Sequence, residues 1–243
     1  ARCRINFCRD FGARGSNGGA HVTDSLGQGD AAVRLVRDER GLALVGDGME
    51  LRGDFSRMLP RLRQGRLQQE LLVKAARIKG AEAPTAVDCT AGLGEDSLLL
   101  AAAGFVVTLF ERDQTIAALL ADALERAAAD PRLAETVGRM TLVAGNSIAG
   151  LAVLPEPPDV VYLDPMFPAR TKSAAVKKKF QLLHHLEQPC EEEEALVAAA
   201  LAAQPRKVVI KRPAKGALLA GMKPSYSVAG KAVRYDVLVP PRP

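Results

Sequence analysis

The side chains able to do chemistry fall in three short segments of the chain. The first is Val87-Asp88-Cys89-Thr90-Ala91-Gly92-Leu93-Gly94-Glu95-Asp96, a strand running into a glycine turn and then a helix. Gly92 and Gly94 let the backbone approach a ligand closely, and the helix start offers free N–H groups. The second is Leu109-Phe110-Glu111-Arg112, where Glu111 follows Gly92 by 19 residues. A carboxylate at that strand end can accept hydrogen bonds from both hydroxyls of a ribose. The third is Asp164-Pro165-Met166-Phe167-Pro168, which follows the apolar run Val160-Val161-Tyr162-Leu163. Its prolines stiffen the turn and project the Asp164 carboxylate, the Pro165 carbonyl and the Phe167 ring into one pocket. A purely structural proline loop has no need of an acid and an aromatic at these offsets. A nicotinamide-dependent oxidoreductase would also use the first two segments. The full GxGxxG is missing, however, because Glu95, Asp96 and Ser97 follow Gly94.

The elements that must position these residues follow from the apolar pattern. From Thr85 onward, strand runs at Ala86–Val87, Val106–Phe110, Met140–Val143, Val160–Leu163 and Val208–Ile210 alternate with helical stretches at Asp96–Ala103, Thr115–Ala129 and Glu192–Ala203. Strands apolar on both faces, separated by helices, predict a parallel sheet covered on both sides. Ser225–Val228 and Val233–Val239, joined around Gly230, predict a closing hairpin. Upstream, Val33 to Leu35 and Leu42 to Leu44 flank the turn Asp38-Glu39-Arg40-Gly41, with a third strand expected over Met49–Phe55. Residues 57–79 hold seven basic residues against the single acid Glu70, on an apolar stripe of Leu67, Leu71, Leu72, Ala75 and Ala76; the pattern suits either a solvated helix face or a phosphate-facing patch. Residues 10–30, rich in Gly, Ser and Asn, read as flexible. The boundaries expected are 1–59 for a flexible N-terminus and small β-rich domain, and 60–243 for the larger α/β domain.

Composition narrows the classes. Apolar residues at 48% and charged residues at 25% are ordinary globular proportions, which exclude collagen-like and wholly disordered chains. Leu98 to Phe110, interrupted by Gly104 and Thr108, is too short for a membrane span. No secretory signal follows Arg2, Arg4 and Arg9. Cys3, Cys8, Cys89 and Cys190 form no CxxC pair, so neither a disulfide scaffold nor a zinc site is expected and a reduced, cytoplasmic compartment fits. Basic runs at Arg170, Lys172, Lys177, Lys178 and Lys179, and at Arg206, Lys207, Lys211, Arg212 and Lys215, suit the phosphate backbone of a nucleic acid. His184 and His185, in an apolar stretch, read as structural.

Asp164 to Pro168 resembles the [DNS]-P-P-[FY] signature of methyltransferases that act on exocyclic base amines, with Met166 at the second Pro. The longer segments TAGLGEDSLLLAAAGFVVTLFERD, VVYLDPMFPARTKSAAVKK and VVIKRP resemble the RsmJ-type family of small-subunit ribosomal RNA guanine-N2 methyltransferases, which writes the loop as DPMFP. The resemblance covers roughly residues 70–240. It implies a doubly wound, Rossmann-like class I methyltransferase sheet with an antiparallel last strand, behind the small β-rich N-terminal domain.

The family resemblance further implies S-adenosylmethionine as cofactor, contacted at Glu95, Asp96, Glu111, Arg112, Asn146, Ser147 and Asp164, beside the glycines 92 and 94. Glu95 departs from an arginine common in the family, and Asn146-Ser147 also suits a helix cap. It implies transfer of a methyl group to the N2 amine of a guanosine in small-subunit (16S) rRNA, free or in the assembled subunit. Asp164, Pro165 and Phe167 would be catalytic, with Arg170, Lys172, Lys177–Lys179, Lys211 and Arg212 on the RNA; no metal and no membrane are implied. A methyltransferase of another base amine, a nicotinamide oxidoreductase and a catalytically silent RNA-binding module are the alternatives.

Overall fold

A computed structural model describes residues 5–7, 33–46, 48–165 and 192–241. Among the described residues the strand runs assemble into one eight-stranded sheet and one three-stranded sheet. The large sheet is built from β1 (Ile5–Phe7), β5 (Thr85–Asp88), β6 (Val106–Glu111), β7 (Met140–Ala144), β8 (Val160–Leu163), β9 (Lys207–Pro213), β10 (Tyr226–Ala229) and β11 (Val233–Leu238), in the spatial order β1-β7-β6-β5-β8-β9-β11-β10. All neighbours are parallel except β11, which runs antiparallel to both β9 and β10. This is the doubly wound sheet with an antiparallel end that the sequence predicts.

Side-chain alternation divides the core in two. Val160 and Tyr162 pack on one face with Leu98, Leu120 and Leu124, whereas Val161 and Leu163 pack on the other with Leu151 and Leu196. The helices on the first face include α3 (Leu71–Ala76), α4 (Glu95–Ala102) and α5 (Gln114–Ala128); α7 (Ser147–Ala152) and α8 (Glu193–Ala202) lie on the second. Burial on both faces is why these strands read as unbroken apolar runs rather than as alternation.

The chain leaves β5 toward β6 and β7, then crosses back to place β8 on the other side of β5. Strand order reverses between β5 and β8, and open α/β sheets bind ligands at such a point, beyond the carboxyl ends of the strands. Asp88, Glu111 and Asp164 all stand at that edge.

The N-terminal sheet is β2 (Arg34–Asp38), β3 (Gly41–Gly46) and β4 (Met49–Leu51), antiparallel throughout. Leu44 and Leu51 pack on Leu93 of the glycine turn and on Ile116 and Leu119 of α5. Arg37 and Arg126 both pair with Asp122, at 2.7 and 2.8 Å. The small sheet therefore buttresses the glycine turn.

Three expectations change. The third strand ends at Leu51, because Asp54 accepts a hydrogen bond from Ser56 N and starts a 3-10 turn over Phe55–Met58. The helical stretch within residues 57–79 is broken into α1 (Leu59–Leu62), α2 (Gln64–Leu67) and α3, since Arg63 and Glu70 adopt extended ψ angles of 133° and 129°. Ile5–Phe7, unassigned from sequence, pairs with Leu142–Ala144 as the edge strand.

Candidate active site

The glycine turn is held from beneath by two buried acids. Asp88, 1% exposed, accepts hydrogen bonds from Thr90 N at 3.0 Å and Ser97 Oγ at 2.6 Å. Burial, with the neighbouring charges of Asp96 and Asp164, outweighs these bonds and pushes its pKa up to about 7. Glu111, 8% exposed, accepts from Gly92 N through Oε2 and from Asp113 N through Oε1, both at 2.9 Å. Burial raises its pKa above the ordinary carboxylate value, against the pull of those two N–H groups. Gly94 has φ +75°, and a Cβ there would lie 2.7 Å from Leu120 Cδ1, so the turn needs glycine for conformation and for room. Gly92 is also left-handed, at φ +53°, but open space lies where its Cβ would be. The turn is thus packed at Gly94 and open to a ligand at Gly92.

Asp164 sits where β8 leaves the sheet. Its N–H donates to Thr90 Oγ1 at 2.7 Å, tying the loop to the glycine turn. Its Oδ2 accepts from Lys211 Nζ at 2.8 Å, and the same ammonium donates to Asp96 Oδ2 at 2.7 Å. Tyr162 Oη donates to that Asp96 oxygen at 2.6 Å. The Tyr162 ring lies 6.5 Å from that of Tyr235 on β11, which is also buried. Burial raises the Asp164 pKa, while Lys211 works against it. Lys211 is held charged: burial disfavours the ammonium, but Asp96 and Asp164 outweigh it and raise its pKa.

Most of the sequence-predicted cofactor residues meet at this edge. Gly92, Gly94, Glu95, Asp96, Glu111 and Asp164 surround the ends of β5, β6 and β8, and Arg112 follows Glu111 on the exposed side. Asn146 caps α7, its side chain accepting from Ile148 N at 2.8 Å, while Ser147 is buried against Cys89. Pro165 is buried. Phe167, Arg170, Lys172, Lys177, Lys178, Lys179, His184 and His185 lie outside the described residues.

In the second basic run Arg206, Lys207, Lys211 and Arg212 make contacts within the protein, while Lys215 is exposed. Lys211 faces two carboxylates, and Arg212, 4% exposed, donates through Nε to Ala217 O at 2.7 Å. Arg206 pairs with Asp159, and Lys207 donates to Ala75 O and Arg77 O. These residues belong to, or directly precede, an interior strand whose flanks are packed, so their cations are used internally. Sequence reasoning named Lys211 for RNA and did not foresee its contacts with Asp96 and Asp164; the only local sign of them was a lysine at a buried strand's carboxyl end.

Among the described residues there is no cluster of three or more His, Cys, Asp or Glu that could hold a metal ion, and no helix long and apolar enough to cross a membrane. The SAM-dependent methyltransferase family model matches residues 27–240. The chain is 46% identical over 213 residues to ribosomal RNA small subunit methyltransferase J of Thioalkalivibrio sulfidiphilus, covering 84% of each chain. It is 40% identical over 206 residues to the protein of that name from Neisseria meningitidis, covering 84% of this chain and 82% of that one. The crystal structure of a SAM-dependent methyltransferase from Neisseria gonorrhoeae superimposes with a TM-score of 0.71 at 32% identity, covering 88% of this chain and 86% of that one. S-adenosylmethionine is the cofactor, and the residues suit it: an open left-handed Gly92 and a buried strand-end carboxylate at Glu111 for a ribose. With the sheet order, the strand-end acids and these relatives in agreement, the chain belongs to the SAM-dependent methyltransferase family that includes the ribosomal RNA small subunit methyltransferases J.

Proposed function

We propose that this chain methylates the exocyclic N2 amine of a guanosine in small-subunit rRNA. The observation that carries the reading is the setting of Asp164. It stands at the switch point with Oδ2 held by Lys211, and its Oδ1 takes no hydrogen bond from a described residue. A guanine amine is a poor nucleophile because its lone pair is delocalised into the ring. Accepting its hydrogens at Asp164 Oδ1 and the Pro165 carbonyl turns the lone pair out of the ring plane and fixes its direction. S-adenosylmethionine supplies the electrophilic methyl group on its sulfonium when bound. Positioning of this kind accounts for most of the rate gain, and Glu111 and the Gly92 backbone contribute by fixing the ribose end.

Phe167 stacks on the base once it has left its helix or loop. Arg170, Lys172, Lys177, Lys178 and Lys179 hold the phosphate backbone without reading sequence. Residues 60–243, with Ile5–Phe7 added at the edge of their sheet, form the catalytic unit and the rest of residues 1–59 an N-terminal unit, and the enzyme acts in the cytoplasm, on free rRNA or on the assembled subunit. Support for rRNA as substrate comes from the curated relatives, which carry small-subunit rRNA in their name. The experiment is transfer of labelled methyl from S-adenosylmethionine to small-subunit rRNA taken from cells lacking this protein. Label in that RNA, and none in RNA from cells that possess the protein, is the expected result; no incorporation into free rRNA or assembled subunits overturns the reading.

A further inference from the structure

Asp164 can accept hydrogen bonds on both oxygens only while ionised, and its surroundings work against that. Asp96 from α4 faces it with like charge, Asp88 from β5 adds its own charge only as it ionises near pH 7, and the Tyr162 and Tyr235 hydroxyls come from β8 and β11. Among the described residues two cations from β9 act on it: Lys211 in direct contact, and Arg212 through its field. The parallel register pairs Leu163 with Ile210, so Asp164 and Lys211 emerge side by side from adjacent strand ends. The ammonium then bridges to Asp96, whose position is fixed by the Tyr162 hydroxyl.

We infer that Lys211 is a positioning residue for methyl transfer: held between Asp96 and Asp164, its ammonium keeps the Asp164 carboxylate charged and fixes Oδ2, so that Oδ1 is presented to the acceptor amine. The inference rests on the reading of Asp164 as the acceptor given above. Two N–H groups of Lys211 are committed to acids, which makes it part of the catalytic corner rather than of the phosphate-binding surface. Without it, two carboxylates would face each other across a half-buried corner, and Asp164 would take up a proton at a higher pH.

The test uses Lys211→Met, which keeps the stem and loses the charge, Lys211→Gln, which keeps a donor and loses the charge, and Lys211→Arg, which keeps both. In full-length protein with 13C-labelled aspartate and no ligand, the Asp164 carboxyl resonance, assigned through Asp164→Asn, should titrate at least about one pH unit higher in the Met and Gln variants. That is a tenfold change in its ionisation equilibrium. Lys211→Arg should titrate within a few tenths of a unit of wild type. Single-turnover rates at saturating S-adenosylmethionine should show the same pattern: a loss approaching tenfold for Met and Gln at pH values below the wild-type Asp164 titration, shrinking as pH rises through it, with Arg near normal. An unmoved Asp164 titration, or a rate loss equal at every pH, overturns the inference. Should Asp164→Ala retain full activity while the titration moves as stated, the acceptor reading fails and the Lys211–Asp164 coupling stands, so the two failures are distinguishable.

Discussion

Glu111→Ala should weaken both the cofactor site and the fold, and the two losses can be worked separately. The Glu111 carboxylate accepts from Gly92 N and Asp113 N at 2.9 Å each, and it is 8% exposed. Orphaning two buried N–H groups costs about 1–3 kcal/mol apiece. Part of that is offset because the folded protein disfavours the charge, as the raised pKa shows. A net loss of roughly 2–3 kcal/mol of stability is expected, which leaves a protein of ordinary stability folded at room temperature. The ribose then loses two charge-assisted hydrogen bonds of about 1.5–3 kcal/mol each. Even the lower end, about 3 kcal/mol, is more than a hundredfold in Kd. Urea denaturation gives the first number and calorimetric titration with S-adenosylmethionine the second. Glu111→Gln should not rescue either, since its NH2 would oppose one of the two backbone donors. Cofactor affinity within threefold of wild type in folded Glu111→Ala would refute the placement of the ribose at this strand end.

Asp164→Ala removes the acceptor that orients the amine, so single-turnover rate at saturating cofactor should fall at least about 100-fold while RNA affinity stays nearly constant; gel-shift and quench-flow measurements separate the two. Asp88 has a pKa raised from 3.8 to about 7, so the unfolded chain releases its proton first as pH rises. The stabilising contribution of neutral Asp88 is therefore complete below about pH 4, declines between there and pH 7, and is gone above. Denaturation of wild type and Asp88→Asn should show the variant gaining on wild type by a few kcal/mol between pH 4.5 and 8; a constant difference would show that Asp88 is ionised throughout. Neutralising Lys177, Lys178 and Lys179 together should lower the log–log salt slope of RNA binding by about 0.7–0.9 per lost phosphate contact, with calorimetric cofactor affinity intact; an unchanged slope means they are a solvated face.

The doubly wound sheet was legible because burial on both faces leaves a strong trace: Val160 to Leu163 is apolar at every position, and all four residues are buried. The hairpin of β10 and β11 was marked by Gly230 and its flanking strand runs. The break at Glu70 was not legible, because the stripe of Leu67, Leu71 and Leu72 continues across it while only ψ changes. Ile5–Phe7 is a three-residue edge strand whose partner lies at Leu142–Ala144, and no local periodicity reports so distant a pairing. The same holds at the site. Glu111 and Asp164 could be found from strand ends and neighbouring glycines or prolines. The Asp96–Lys211 bridge spans 115 residues of sequence and exists only through the strand register and the Tyr162 hydroxyl. A net-charge argument is blind to which carboxylates and carbonyls a fold delivers to Lys211 and Arg212.

The central claim is that a methyl group goes to the N2 amine of guanosine, oriented by Asp164. The most direct measurement is the identity of the product. Small-subunit rRNA methylated by the purified protein with isotopically labelled S-adenosylmethionine is digested to nucleosides and resolved by mass spectrometry against standards. All label in N2-methylguanosine, at one site of the RNA, is the predicted result. Label at a ring nitrogen, a ribose 2′-oxygen or an amine of another base would contradict it.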